Sequence, residues 1–182
     1  HYTTAKYIPL LLNTPFNIIK TFNKDPIIIK KYFTSETELK KHFNPVVFNK
    51  ESESFKPDNV VIFILEGFSK EHIGRLNPEI EKGNYKGYTP FLDSLIDYSL
   101  VFNNAYANGK RTIDAPPAIL SSIPNLMNEA FVLSPYAQNS INSLASLLKT
   151  KGYVSYFFHG GTNGTMGFDN FAKLAGFDNY FG

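Results

Sequence analysis

The sequence predicts an α/β fold with a doubly wound, mainly parallel sheet flanked by helices. First, VVIFIL at residues 60–65 is an unbroken β-branched and apolar run of the kind found in strands covered on both faces. Second, strand-like and helix-like segments follow one another as strand, helix, strand, helix, helix, strand with short connections, the pattern of right-handed crossover units. Third, 43% hydrophobic and 15% aromatic residues in 182 give the chain enough material for a core.

In chain order, residues 5–22 space Ile8, Leu11, Leu12, Phe16 and Ile19 at helical intervals, interrupted by Pro9 and Pro15, and predict a helical arm in short pieces. Thr34 and Ser35, followed by Glu36 and Glu38, open a short charged helix over 34–43. Residues 49–59 are charged, carry Pro57 and lack apolar periodicity, so they read as a linker. The predicted boundary lies there, with an arm at 1–57 and a domain at 58–182. After the strand at 60–65, Thr89 as N-cap, Pro90 at the first helical position and Asp93 start a helix with Phe91, Leu92, Leu95 and Ile96 on one face. LVFNNAYA at 100–107 supplies a second strand. Pro116 and Pro117 fit a helix only in its first turn, so a helix begins around Thr112 to Asp114 and continues through Ser121 and Ser122. Ser140 is expected to cap a helix bearing Ile141, Leu144, Leu147 and Leu148 and closing at Lys149, Lys151 and Gly152; YVSYFF at 153–158 is the next strand.

The charge balance, 18 basic against 16 acidic residues, offers no basic stripe interleaved with aromatics, so nucleic acid is not an expected partner. Without cysteine there is no disulfide, thiolate nucleophile or Cys-ligated zinc. No apolar run approaches the ~20 residues of a spanning helix, and the chain starts at His1 without methionine, as a piece of a longer protein would.

Ligands of open α/β sheets bind beyond the carboxyl ends of the strands, which directs attention to Glu66, the NGKRT loop and His159. Glu66 ends the most apolar segment, where its carboxylate suits a hard cation; a solvated strand-end glutamate has the same signature. Thr112 follows Gly109, Lys110 and Arg111 and sits at a helix start, where a hydroxyl meets positive potential and two cations suited to a phosphate. A plain N-cap threonine reads the same way. His159 opens HGGTNGTMG, whose glycines admit close backbone approach to an anion, and it is a candidate for substrate contact or proton transfer; a flexible-loop histidine is the alternative. Asn104 stands where a phosphate-binding P-loop needs glycine, and HGGTNGTMG lacks the P-loop lysine. His1, His42 and His72 share no ligand spacing and read as surface residues.

Together, NVVIFILEGFS, YTPFLDSLIDYSLVFNNAYANGKRTIDAPPAILSSIP, LLKTKGYVSYFFHGG and FDNFAKLAGFDNYFG resemble the lipoteichoic acid synthase-like phosphoglycerol transferases of the sulfatase/alkaline phosphatase superfamily, from about Asn59 to Gly182. The resemblance implies an alkaline phosphatase-like fold, with Glu66 and Thr112 as ligands of one divalent cation, Mn²⁺ or else Mg²⁺. It implies that Thr112 is the nucleophile attacking a phospholipid, with His159, Lys110 and Arg111 toward the substrate. It further implies a phospholipid donor, a glycan or lipid acceptor, and a catalytic domain outside the cytoplasmic membrane, anchored by a transmembrane domain preceding this chain. The remaining ligands of that family, an Asp-His pair, would lie downstream, so the chain is expected to stop before the domain ends and to be inactive alone.

The sequence departs from the pattern in places. Sulfatases proper carry a Cys or Ser in a Cys/Ser-x-Pro-x-Arg motif, whereas here the stretch is Thr112-Ile-Asp-Ala-Pro, which disfavours sulfate ester hydrolysis. Gly161, Met166 and Phe168 stand where phosphoglycerol transferases hold the head group with an acid, a Trp and an Arg, which opens the donor to phosphoethanolamine lipids. A phosphodiesterase or phosphatase, and a non-catalytic binding module of the same fold, are the alternatives.

Overall fold

In the computed structural model, residues 27–46 and 54–182 are described, together with Pro15 and Phe22; the arm predicted over 5–22 otherwise lies outside the described residues. The chain divides into two compact units, Asp25–Phe63, and His1–Lys24 with Ile64–Gly182.

In the smaller unit, α1 (Glu36–His42) forms as the sequence predicts. Ser35 caps it by accepting from the Glu38 N–H, and the Glu38 carboxylate reaches back to accept from the Thr34 N–H and hydroxyl. Glu36 and Lys40 pair one turn apart, and the basic residues cluster in the last turn, as the helix dipole favours.

The larger unit contains α2 (Pro90–Ile96), α3 (Ala115–Ser121), α4 (Leu144–Lys149) and α5 (Phe168–Leu174), and a two-stranded parallel sheet of β1 (Tyr156–Phe158) and β2 (Asn179–Phe181), against which α5 packs. The β1–α5–β2 order is the crossover unit by which parallel strands are joined, and it establishes the α/β class. The core gathers Leu120 of α3, Ala130 and Val132 of the following loop, and Phe171 and Ala175 around α5, with Ile113, Phe157 and Phe177 packed against it.

Several expectations need correction. Residues 60–65 and 100–107 pair in no strand, and Phe63 and Leu100 are 80% and 84% exposed. A buried parallel strand needs ladder partners on its edges and helices over its faces; neither run has them among the described residues, so only 156–158 of the predicted strands joins a sheet. Thr89 makes no capping bond to α2; its hydroxyl donates to the His72 carbonyl at 3.3 Å instead. The cap of α4 is Ser143, not Ser140: its hydroxyl accepts from the Ser146 N–H and donates to the Ala175 carbonyl, which gives it a tertiary anchor that Ser140 lacks. Ser122 is not helix body but adopts the left-handed conformation that ends α3. His72 is half-buried, with its ring against Phe68 and Tyr88, while His42 is exposed and stacked on Phe33.

Candidate functional site

Thr112 is held from both sides. It begins a 3₁₀ turn, Thr112–Asp114, that runs directly into α3, whose first residue is Ala115 and whose first turn holds Pro116 and Pro117. Its successor Ile113 packs on the core. Its predecessor Arg111 forks onto the Asp114 carboxylate through two hydrogen bonds of 3.2 Å. The Asp114 side chain is 1% exposed, so a buried carboxylate anchors the loop. Gly109 lies so close over Asp114 that a side chain there would overlap it. Farther back, Asn108 accepts from the Asn125 N–H, and the Arg111 guanidinium also reaches the Asn128 carbonyl at 3.5 Å. Thr112 itself is half-buried and is the first residue of the turn, not its cap: the cap position belongs to Arg111, and that of α3 to Asp114, so the plain N-cap role does not fall to Thr112.

The two cations expected to face a substrate therefore differ. Lys110 is exposed. Arg111 is engaged by Asp114, which offsets its charge and leaves only part of its fork for an anion. Asp114 was not among the residues singled out from sequence, although opposite charges three positions apart at a helix start are a legible signal.

His159 follows β1, and its N–H donates to the Phe181 carbonyl at 2.7 Å, extending the ladder by one residue. Its half-buried ring meets the edge of Phe168 at 4.9 Å between centroids, and its Nδ1 lies 3.4 Å from the Tyr180 hydroxyl. Gly161 closes over the ring: a Cβ there would come within 2.8 Å of Cε1. Phe168, at a position where the resemblance leads one to expect a head-group ligand, is 3% exposed and packs on Phe157. Nothing local in the sequence announces Tyr180, which the register of β2 against β1 brings to His159.

Glu66 is exposed in the turn that follows residues 60–65. Carboxylate and hydroxyl oxygens suit Mg²⁺ or Mn²⁺. Among the described residues, however, no three His, Asp or Glu side chains gather to hold a metal ion, so Glu66 and Thr112 supply donors of the right kind without a complete shell. No hydrogen bond or ion pair among the described residues joins Glu66, Thr112 and His159. Among the described residues, also, no helix is long and apolar enough to cross a membrane.

A protein-family model described as Sulfatase matches residues 58–182, well over half of the chain. No solved structure matches it.

Proposed function

This chain belongs to the sulfatase family, and from that premise we propose that it is part of an enzyme that transfers a phosphoglycerol, or a related phospho-head-group, from a phospholipid through a covalent intermediate on Thr112. The observation that carries this reading is Thr112 itself: a half-buried threonine that is not the cap residue, at a helix start fixed by the core residue Ile113 on one side and by the pairing of Arg111 with the buried Asp114 carboxylate on the other. A nucleophile must be held in place to react, and positioning of this kind accounts for a large share of enzymatic rate.

In the first step the Thr112 Oγ attacks phosphorus; the new Oγ–P bond replaces the bond to the glycerolipid, which departs as diacylglycerol carrying the proton Thr112 gave up. In the second step a hydroxyl of a glycan or lipid acceptor attacks the same phosphorus, the Oγ–P bond breaks, and Thr112 recovers a proton. Lys110, exposed beside the nucleophile, and the part of the Arg111 fork that Asp114 leaves open attract the phosphate. His159 contacts the substrate in the same reading.

Sulfatase-family domains commonly bind a divalent metal. Within this proposal the ion is Mn²⁺ or Mg²⁺, it supplies Lewis acidity at the phosphate, and Glu66 is its carboxylate ligand. The donor's membrane origin, and a catalytic domain on the outer side of the cytoplasmic membrane, belong to the same proposal. The absence of cysteine and the Thr112-Ile-Asp-Ala-Pro stretch favour phosphoryl over sulfuryl transfer.

The test is to incubate the full-length parent protein, which carries this chain and whatever follows it, with Mn²⁺ and vesicles of phosphatidylglycerol or phosphatidylethanolamine and to map adducts by peptide mass spectrometry. A phosphoglycerol mass on the peptide containing Thr112, absent from Thr112→Ala and Glu66→Gln, is the expected result. A phosphoethanolamine mass would change the donor. Release of head-group phosphate without acceptor dependence would replace transfer by hydrolysis, and metal-loaded folded protein with neither product would leave a binding module.

A further inference from the structure

We propose that Tyr180 is a positioning residue for His159, fixing its imidazole in the tautomer that carries the proton on Nε2 so that His159 meets the phosphate as a hydrogen-bond donor. Its relevance to catalysis rests on the phosphoryl-transfer reading above; the tautomer itself does not.

The two residues come from neighbouring strands. The parallel pairing of Phe157 with Tyr180 and of Phe158 with Phe181, continued by the bond from the His159 N–H to the Phe181 carbonyl, sets the separation between the histidine and the tyrosine. The Tyr180 ring stacks on Phe157 at 5.7 Å, which fixes the direction of its hydroxyl toward Nδ1, 3.4 Å away. Phe168 abuts the imidazole edge-on, and a Cβ at position 161 would overlap Cε1, so the ring occupies this place only beside a glycine.

In the proposed pairing Tyr180 is the donor. Burial, and secondarily the negative charge of Asp169, push its hydroxyl above the ordinary range, so the phenol keeps its proton; a half-buried phenol proton needs an acceptor, and Nδ1 is the only hydrogen-bond partner of this hydroxyl among the described residues. A phenol donating to Nδ1 requires an unprotonated Nδ1, which places the proton of a neutral imidazole on Nε2. That arrangement gives His159 an N–H for a non-bridging phosphate oxygen and makes it unfit to accept the Thr112 proton while neutral. At 3.4 Å the contact is at the long end of the hydrogen-bond range.

The experiment is long-range ¹H–¹⁵N correlation on the protein labelled with ¹⁵N-histidine, with His159 assigned through His159→Gln, alongside Tyr180→Phe, which removes only the hydroxyl. In the wild type at a pH where His159 is neutral, Nδ1 is expected at the shift of an unprotonated nitrogen and Nε2 at that of a protonated one. In Tyr180→Phe both nitrogens move toward the averaged values of exchanging tautomers, while the other histidines stay where they were. Identical His159 shifts in the two proteins, or a protonated Nδ1 in the wild type, would overturn the assignment. Formation of the Thr112 adduct should slow about tenfold in Tyr180→Phe, the worth of one hydrogen bond, at unchanged donor saturation. A wild type that forms no adduct yet shows the expected shifts refutes the transfer reading and leaves the pairing intact.

Discussion

Asp114 is the residue on which the Thr112 loop depends. Its carboxylate is almost wholly removed from water, and its ion-pair partner Arg111 is half exposed. Removing one member of a buried pair strands the other at a cost of about 3–5 kcal/mol, and screening at the exposed guanidinium reduces this to about 2 kcal/mol. Asp114→Asn should therefore lose about 2 kcal/mol in denaturant unfolding; a change below about 0.5 kcal/mol would mean that the loop is held by Gly109 and Ile113 instead. The sequence made Thr112, Arg111 and His159 visible because they follow strand-like runs or precede a proline-marked helix start. It could not show that Arg111 is already paired, because the pairing depends on how far the turn buries Asp114.

At the scale of elements, the helices were legible to within a few residues because their signals are local. Thr34 and Ser35 ahead of Glu38 and Pro90 at a helix start mark where α1 and α2 begin, and the prolines at 116 and 117 mark the first turn of α3. The miss at Ser143 has a tertiary cause, the bond to the Ala175 carbonyl across the fold. The end of α4 has such a link as well: Lys149 donates to Asp178 at 2.6 Å, and Asp178 accepts from the Ser155 N–H at 2.9 Å, tying the helix to the entrances of both strands. The Lys149 bond, followed by that from Ser155, holds the Asp178 carboxyl down at about 2. A depressed carboxyl contributes stability that is fully present above its ordinary value of 3.8 and is lost as the pH falls toward about 2. Thermal unfolding should accordingly show wild type above Asp178→Asn near about pH 6, with the gap closing as the pH falls toward about 2. A gap that persists there would assign the effect to geometry rather than to charge.

Across the whole molecule, the α/β class was legible from the alternation of runs, while the extent of the sheet was not. Hydrophobicity at 60–65 and 100–107 is compatible with a buried strand, but strand formation is decided by partners that a run of residues does not specify. The sheet that does form is assembled from neighbours along the chain: β1, α5 and β2 occupy Tyr156 to Phe181, and Phe157 there meets Phe168, Phe177 and Tyr180. Contacts between residues so near in sequence close small loops at little entropic cost. This carboxyl-terminal segment should for that reason be the first to acquire lasting protection during refolding. Pulse-labelled hydrogen exchange would show the His159 amide protected earliest and residues 60–65 exchanging throughout; simultaneous protection of the whole larger unit would argue for a single cooperative step. On a ribosome, where residues emerge in chain order, the apolar run at 60–65 is out roughly a hundred residues before the segment that forms the sheet, and its side chains meet solvent and chaperones during that interval.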